Sequence, residues 1–268
     1  MELDLQNSEL EEVAAKQNYS GLIDYDVYVM SAKEKVFYVL LAASVLFAIG
    51  YIFYHHIIGA LILTPLALLY PKRKTKDIIE KRKSELNLQF KDLLYSISAS
   101  LTAGKSVETA FKEALNDLCI LYPDPDTYII REVEYIVRRL EMNETIEDAL
   151  EDLAKRSHLE DIQNFTDVFK TCKRTGGNLV NVIRNSTNII NDKIEIKEEI
   201  NTLLAAKKFE QKVLSVMPFI MILILSLTTE DYMAPVFDTI VGRIVMTFAI
   251  IIIAIGYFVS KKIMDIKI

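Results

Sequence analysis

From residue 178 to residue 217 the chain carries neither glycine nor proline, and this forty-residue stretch runs from charged sequence straight into an apolar segment at 213–227. Apolar side chains recur along it at Leu179, Val182, Ile183, Ile189, Ile190, Ile194, Ile200, Leu203 and Leu204, a helical spacing. One helix of that length spans about 60 Å. It would join a water-soluble helical domain mechanically to a segment inside a bilayer.

The 51 % hydrophobic content is clustered at the two ends of the 268 residues. Residues 36–54 contain no charge and cover about 28 Å as a helix, close to the roughly 30 Å hydrocarbon thickness. A second run at 57–70 is shorter and contains Pro65. Third and fourth runs fall at 213–227 and 244–259. Lys33 and Lys35 precede the first run, Lys72, Arg73, Lys74 and Lys76 follow the second, Lys207, Lys208 and Lys212 precede the third, and Lys261, Lys262 and Lys267 follow the fourth. Basic residues on the outer flanks of each pair place both termini and the middle of the chain in the cytoplasm. The expected order is an acidic cytoplasmic leader (1–35), a transmembrane hairpin (36–70), a cytoplasmic helical domain (71–212) and a second transmembrane hairpin (213–268), an all-α integral membrane protein with about four spans.

Within the leader, residues 1–30 carry Glu2, Asp4, Glu9, Glu11, Glu12, Asp24 and Asp26 against Lys16 alone, and read as a flexible or surface-lying tail without a cleavable signal. The cytoplasmic segment has twenty-four basic and twenty-five acidic residues, and the whole chain has a formal charge of −6, so bulk electrostatics give a nucleic-acid partner no support. Five amphipathic stripes precede the long helix, beginning with Leu86, Phe90, Leu93, Leu94, Ile97 and Leu101, and together they predict a six-helix bundle whose last helix runs into the third span. Gly104 separates the first two stripes, as a helix-ending glycine does. Residues 104–111, 143–150 and 176–183 echo one another: each places a turn-favouring residue ahead of apolar ones three, six and seven positions later.

No arrangement of residues supports catalysis. Ala103, Gly104, Lys105 and Ser106 end like a phosphate-binding loop, but Ala99 stands where that loop needs glycine, and Ser106 reads as a helix cap. His55, His56 and His158 lack the neighbours of a metal or phosphoacceptor site, and Cys119 and Cys172 read as buried free thiols. No cofactor is expected. Glu144, Glu147, Asp148, Glu151 and Asp152 gather on one helix, offset locally only by Lys155 and Arg156, and form a candidate docking face for a basic partner. Pro218 stands where the long helix enters the membrane and is a candidate bend.

The order of parts, with residues 101–111 (LTAGKSVETAF) and 169–185 (FKTCKRTGGNLVNVIRN) leading into a long helix and terminal spans, resembles the type II secretion system F-domain family. A single such domain between two membrane hairpins is similar to the TadB-like platforms of tight-adherence pili. Gly104, Arg174, Thr175, Gly176 and Gly177 match the family's turns. The resemblance implies an inner-membrane platform without catalytic activity, coupling a cytoplasmic secretion or pilus ATPase to pilin assembly by conformational or rotary transmission. It further implies a second, paralogous platform protein (TadC-like), pilin subunits, membrane lipids and an oligomer as partners. The competing expectation is a four-span receptor with a helical output domain.

Overall fold

The structure, a computed structural model, describes residues 22–54, 56, 57, 61, 64–228, 233, 235–237 and 239–264. The elements, in chain order, are α1 (Ala32–Tyr54), a 3₁₀ helix (Thr64–Leu69), α2 (Tyr70–Thr102), α3 (Val107–Leu121), α4 (Tyr128–Glu141), α5 (Ile146–Ser157), α6 (Glu160–Thr175), α7 (Leu179–Thr228) and α8 (Ile240–Met264). They fall into two compact units, one holding residues 22–29 with Thr75–Glu195, the other holding Met30–Lys74 with Ile196–Ile268.

The first unit is a helical bundle whose core joins Leu86 and Phe90 of α2, Phe111 of α3, Val133 of α4, Leu150 of α5, Phe165 of α6 and Ile183 of α7. The sequence stripes are the buried faces, because residues three and four apart lie on one side of a helix. Phe90 meets Phe165 edge to face with centroids 5.4 Å apart. The stripe position Ile189 turns outward, 65 % exposed, as does Val168 of α6 at 49 %. Among the described residues α7 buries nothing beyond Ile190, so only its first turns belong to the core.

Three of the bundle's turns are built alike. Gly104 (φ 82°), Asn143 (φ 63°) and Gly176 (φ 71°) each adopt the left-handed conformation after a helix. The next residue then donates its N–H back five positions, Lys105 to Ser100 (3.2 Å), Glu144 to Arg139 (3.0 Å) and Gly177 to Cys172 (2.9 Å). That bond satisfies a carbonyl the helix end leaves open. One residue further on stands a cap: Ser106 accepts from Thr109 N–H at 3.2 Å, Thr145 from Asp148 at 3.3 Å and Asn178 from Asn181 at 3.1 Å. The sequence echo is thus a turn repeated in geometry, and it starts α3, α5 and α7.

The expected short first helix of the bundle is instead 33 residues long, since α2 begins at Tyr70 and stays helical across the boundary at Lys74 and Thr75. Alanine-free but rich in Lys, Arg and Leu, residues 72–94 hold no helix breaker that would end it. Two continuous helices, α2 and α7, therefore link the units.

In the second unit α1, α7 and α8 are long and apolar enough to cross a membrane. Tyr54 at the end of α1 hydrogen-bonds Thr247 near the start of α8 at 2.8 Å, while Phe53 packs edge to face on Phe219 of α7 at 5.5 Å. Tyr70 sits beside Tyr38, with centroids 6.3 Å apart. Tyr70 therefore lies at the level of Tyr38, and the 3₁₀ helix at Thr64–Leu69 that leads into it rises about 2.0 Å per residue against about 1.5 Å in an α-helix. Several residues of the expected second run, and His55, lie outside the described residues.

Candidate functional site

The candidate functional residues of the bundle occupy three places, two of them singled out in the sequence. The first is the α6–α7 turn. Thr175 Oγ1 donates to the carbonyls of Thr171 (3.0 Å) and Cys172 (3.3 Å), tightening the last turn of α6. Gly176 follows in the left-handed region, where a side chain would be strained although the space around it is open. Gly177 has a different reason to be glycine: a Cβ there would stand 2.8 Å from Cys172 Sγ. Arg174 is exposed and makes no ion pair with a described residue. Cys172 is buried beneath this turn, whereas Cys119, expected to be buried, is exposed. Gly104 makes the equivalent turn between α2 and α3, and Ser106 caps α3 rather than meeting a phosphate.

The second place is the acidic face of α5. Its carboxylates are not bare. Glu144 pairs with Arg139 (2.5 Å), Glu147 with Lys173 (2.8 Å), Glu151 with Lys155 (2.9 Å) and Lys170 (2.5 Å), and Asp152 with Arg156 (2.9 Å). Asp148 accepts the Thr145 hydroxyl at 2.6 Å. The hydrogen bonds from Lys155 and Lys170 hold the Glu151 carboxyl down at about 2. Arg139 comes from α4 and Lys170 and Lys173 from α6, so a reading of α5 alone finds only Lys155 and Arg156. The face is a seam that ties α4, α5 and α6 together.

The third place was not found from sequence. Tyr25, in the expected tail, is 1 % exposed and inserted in the bundle core. Its hydroxyl donates to Glu132 at 3.0 Å, and its backbone N–H donates to the Arg156 carbonyl at 2.9 Å. Arg156 forks onto both oxygens of Glu132 (2.7 and 2.6 Å) and also reaches the Ile23 carbonyl (3.3 Å). Burial would lower the Arg156 pKa, but Glu132 and Asp152 outweigh it and leave the guanidinium above its ordinary range. Burial first and Glu132 second push the Tyr25 phenol far up, so the phenol stays protonated and the guanidinium stays charged. Around them Asp26 pairs with Lys83, Asp24 lies 3.5 Å from His158, and Arg82 stacks 4.4 Å from the Tyr28 ring. Residues 22–28 are thus a strap on the bundle. A signal existed: Glu132 lies three residues after Ile129 and four before Ile136, a carboxylate inside an apolar stripe, which demands a buried partner.

Pro218 lies inside α7, and the helix continues through it to Thr228. Among the described residues no three His, Cys, Asp or Glu side chains come together as a metal site.

The family model for type II secretion system (T2SS), protein F, matches residues 93–227, half of the chain, from the last turns of α2 to the membrane end of α7. No curated protein and no solved structure matches the chain. Members of this family are structural platform proteins of the inner membrane rather than enzymes, and they generally work with ATPases and other platform proteins. The span of the match takes in all three repeated turns and the apolar end of α7, and on it the chain belongs to the type II secretion system protein F family of inner-membrane platforms in secretion and type IV pilus-like machines.

Proposed function

We propose that this chain is the platform of a tight-adherence type pilus, receiving conformational change from a cytoplasmic ATPase on its helical bundle and passing it to the membrane spans. The observation that carries the reading is the 50-residue α7, which starts in the bundle core and ends in a membrane-length apolar stretch without a break. A helix transmits displacement along its axis because every turn is tied to the next by backbone hydrogen bonds. Such a platform needs two arrangements that the ATPase binds with different affinity, and no chemistry of its own. Four spans, with the segment between Tyr54 and Tyr70 as the second, place both termini and the bundle in the cytoplasm.

The acidic face enters this reading in altered form. Glu144 and Asp148 are its exposed members, while Glu147, Glu151 and Asp152 are half-buried in ion pairs. An ATPase docking there meets a patch of both signs, to which Arg139, Lys155, Lys170 and Lys173 contribute the cations. Pro218 is the proposed bend at the membrane entry.

Replacing Ile200 and Asn201, both in the unburied middle of α7, by glycines softens the helix without touching the core, since each glycine weakens a helix by about 1 kcal/mol. Pilus assembly should fall severely while membrane insertion and ATPase co-purification persist. Normal piliation by this variant would end the case for a coupling helix.

A further inference from the structure

Within the second unit, two cation–ring contacts tie the start of α2 to the first turns of α1 and the last turns of α8. The Lys74 ammonium, in the first turns of α2, lies 5.9 Å from the ring centroid of Tyr38 in α1. The neighbouring Arg73 guanidinium lies 5.1 Å from the ring of Phe258 in α8. Tyr70 completes the junction beside Tyr38. Residues three or four apart share a helix face, so Lys35 lies on the Tyr38 side of α1, and Lys261 and Lys262 lie on the Phe258 side of α8. Lys72 stands one residue before Arg73.

Six cations from three chain segments are thereby gathered at one end of the unit. Lys35, Lys72, Arg73, Lys261 and Lys262 are exposed and Lys74 is half-buried. None of the six pairs with a carboxylate among the described residues. Glu34 accepts the Ser31 N–H at 3.1 Å as a helix cap, and Asp77, one turn beyond Arg73 and Lys74, forms no ion pair with a described residue. A concentration of unneutralised positive charge is costly by self-repulsion unless an anion sits among it. The aromatic floor defines what kind of anion: tyrosine and phenylalanine rings lie at the headgroup level of a bilayer, with their apolar edges against acyl chains. A soluble anion has no use for that floor.

We propose that the first turns of α1 and α2 and the last turn of α8 form a binding site for the phosphodiester headgroup of an anionic phospholipid, with Lys35, Lys72, Arg73, Lys74, Lys261 and Lys262 as its donors. Arg73 presents a planar fork suited to two phosphate oxygens, and the lysines act as point charges around it. The lipid thereby clamps α1, α2 and α8 at the level where α2 leaves the membrane unit. The site requires only that the chain sits in a bilayer and is independent of any ATPase.

The test uses the full chain purified in a neutral detergent, with lipid retention read by native mass spectrometry during titration. Phosphatidylglycerol, phosphatidylcholine and inorganic phosphate are the three probes. The variant K35Q/K72Q/K261Q/K262Q removes cations from all three segments while leaving both cation–ring pairs in place. A control, K207Q/K208Q/K212Q, removes juxtamembrane charge from α7 instead. Wild type and control should retain phosphatidylglycerol in preference to phosphatidylcholine, and the fourfold variant should bind it about tenfold or more weakly, since each surface cation is worth roughly a factor of five. Should that variant not insert, R73Q/K74Q is read in the same way. Equal loss in the control, unchanged retention in the site variant, or displacement of the lipid by millimolar inorganic phosphate each overturns the proposal.

Discussion

Tyr25 and Glu132 are 107 residues apart in sequence and joined by a 3.0 Å hydrogen bond inside the bundle. Arg156 completes the cluster by gripping both oxygens of the same carboxylate. The segment just ahead of the first membrane helix is therefore part of the bundle's folded core.

Replacing Tyr25 by phenylalanine keeps the ring in place and removes one hydrogen bond to a carboxylate that Arg156 still satisfies. The expected loss is about 2 kcal/mol. Tyr25→Ala empties the core position and should cost about 3–5 kcal/mol. Limited proteolysis of the full chain in detergent should then show cleavage within 22–29 for the alanine variant and intact protein for the phenylalanine one.

Arg156→Ala strands the Glu132 carboxylate, 1 % exposed, in the core. Breaking a buried pair from one side costs about 3–5 kcal/mol. The pair Arg156→Met with Glu132→Leu removes both charges and should recover most of that loss in melting temperature. Equal destabilisation of the single and double variants would mean that packing, not charge, governs this position.

The two glycines of the α6–α7 turn should respond to opposite remedies. Gly176→Ala is strained by its φ of 71°, at about 1–2 kcal/mol, and no neighbouring substitution relieves that. Gly177→Ala crowds Cys172 Sγ at 2.8 Å, so adding Cys172→Ala should restore stability for Gly177→Ala alone. A double-mutant cycle measured by thermal unfolding reads the coupling directly.

Acid should loosen the seam between α5 and α6 in a defined window. Lys155 and Lys170 lower the Glu151 carboxyl from 4.5 to about 2, so the folded state binds its proton less readily than the unfolded chain. Its stabilising contribution is present above pH 4.5 and disappears as pH falls through about 2. Glu151→Gln should flatten the acid limb of melting temperature against pH in that interval and leave the alkaline limb unchanged.

What could be read in advance follows from how far each interaction reaches along the chain. The apolar stripes, the Gly104 and Gly176 helix ends and the Ser106 cap were legible because each is decided within one or two helical turns. The same holds for the uninterrupted α7. The outer-flank lysines could be read as a topology signal, and the structure adds that Lys35, Lys72 and Lys261 belong to segments meeting around Tyr38 and Phe258. By contrast, Ile189 satisfied the helical spacing and still faces outward, because periodicity says which residues share a face and not whether another element covers it.

The sequence alone determined an all-helical membrane chain, the register of its buried faces and the sites of its turns, since hydrophobic periodicity and backbone preference are local properties. Only the tertiary structure decided that Gln89 of α2 caps α4 by accepting from Ile129 N–H at 3.2 Å, that Lys170 and Lys173 neutralise the acidic face, and that Tyr25 enters the core. Each joins residues whose separation in sequence carries no periodic signal, and each is set by the need to satisfy a polar group once the helices have packed around it.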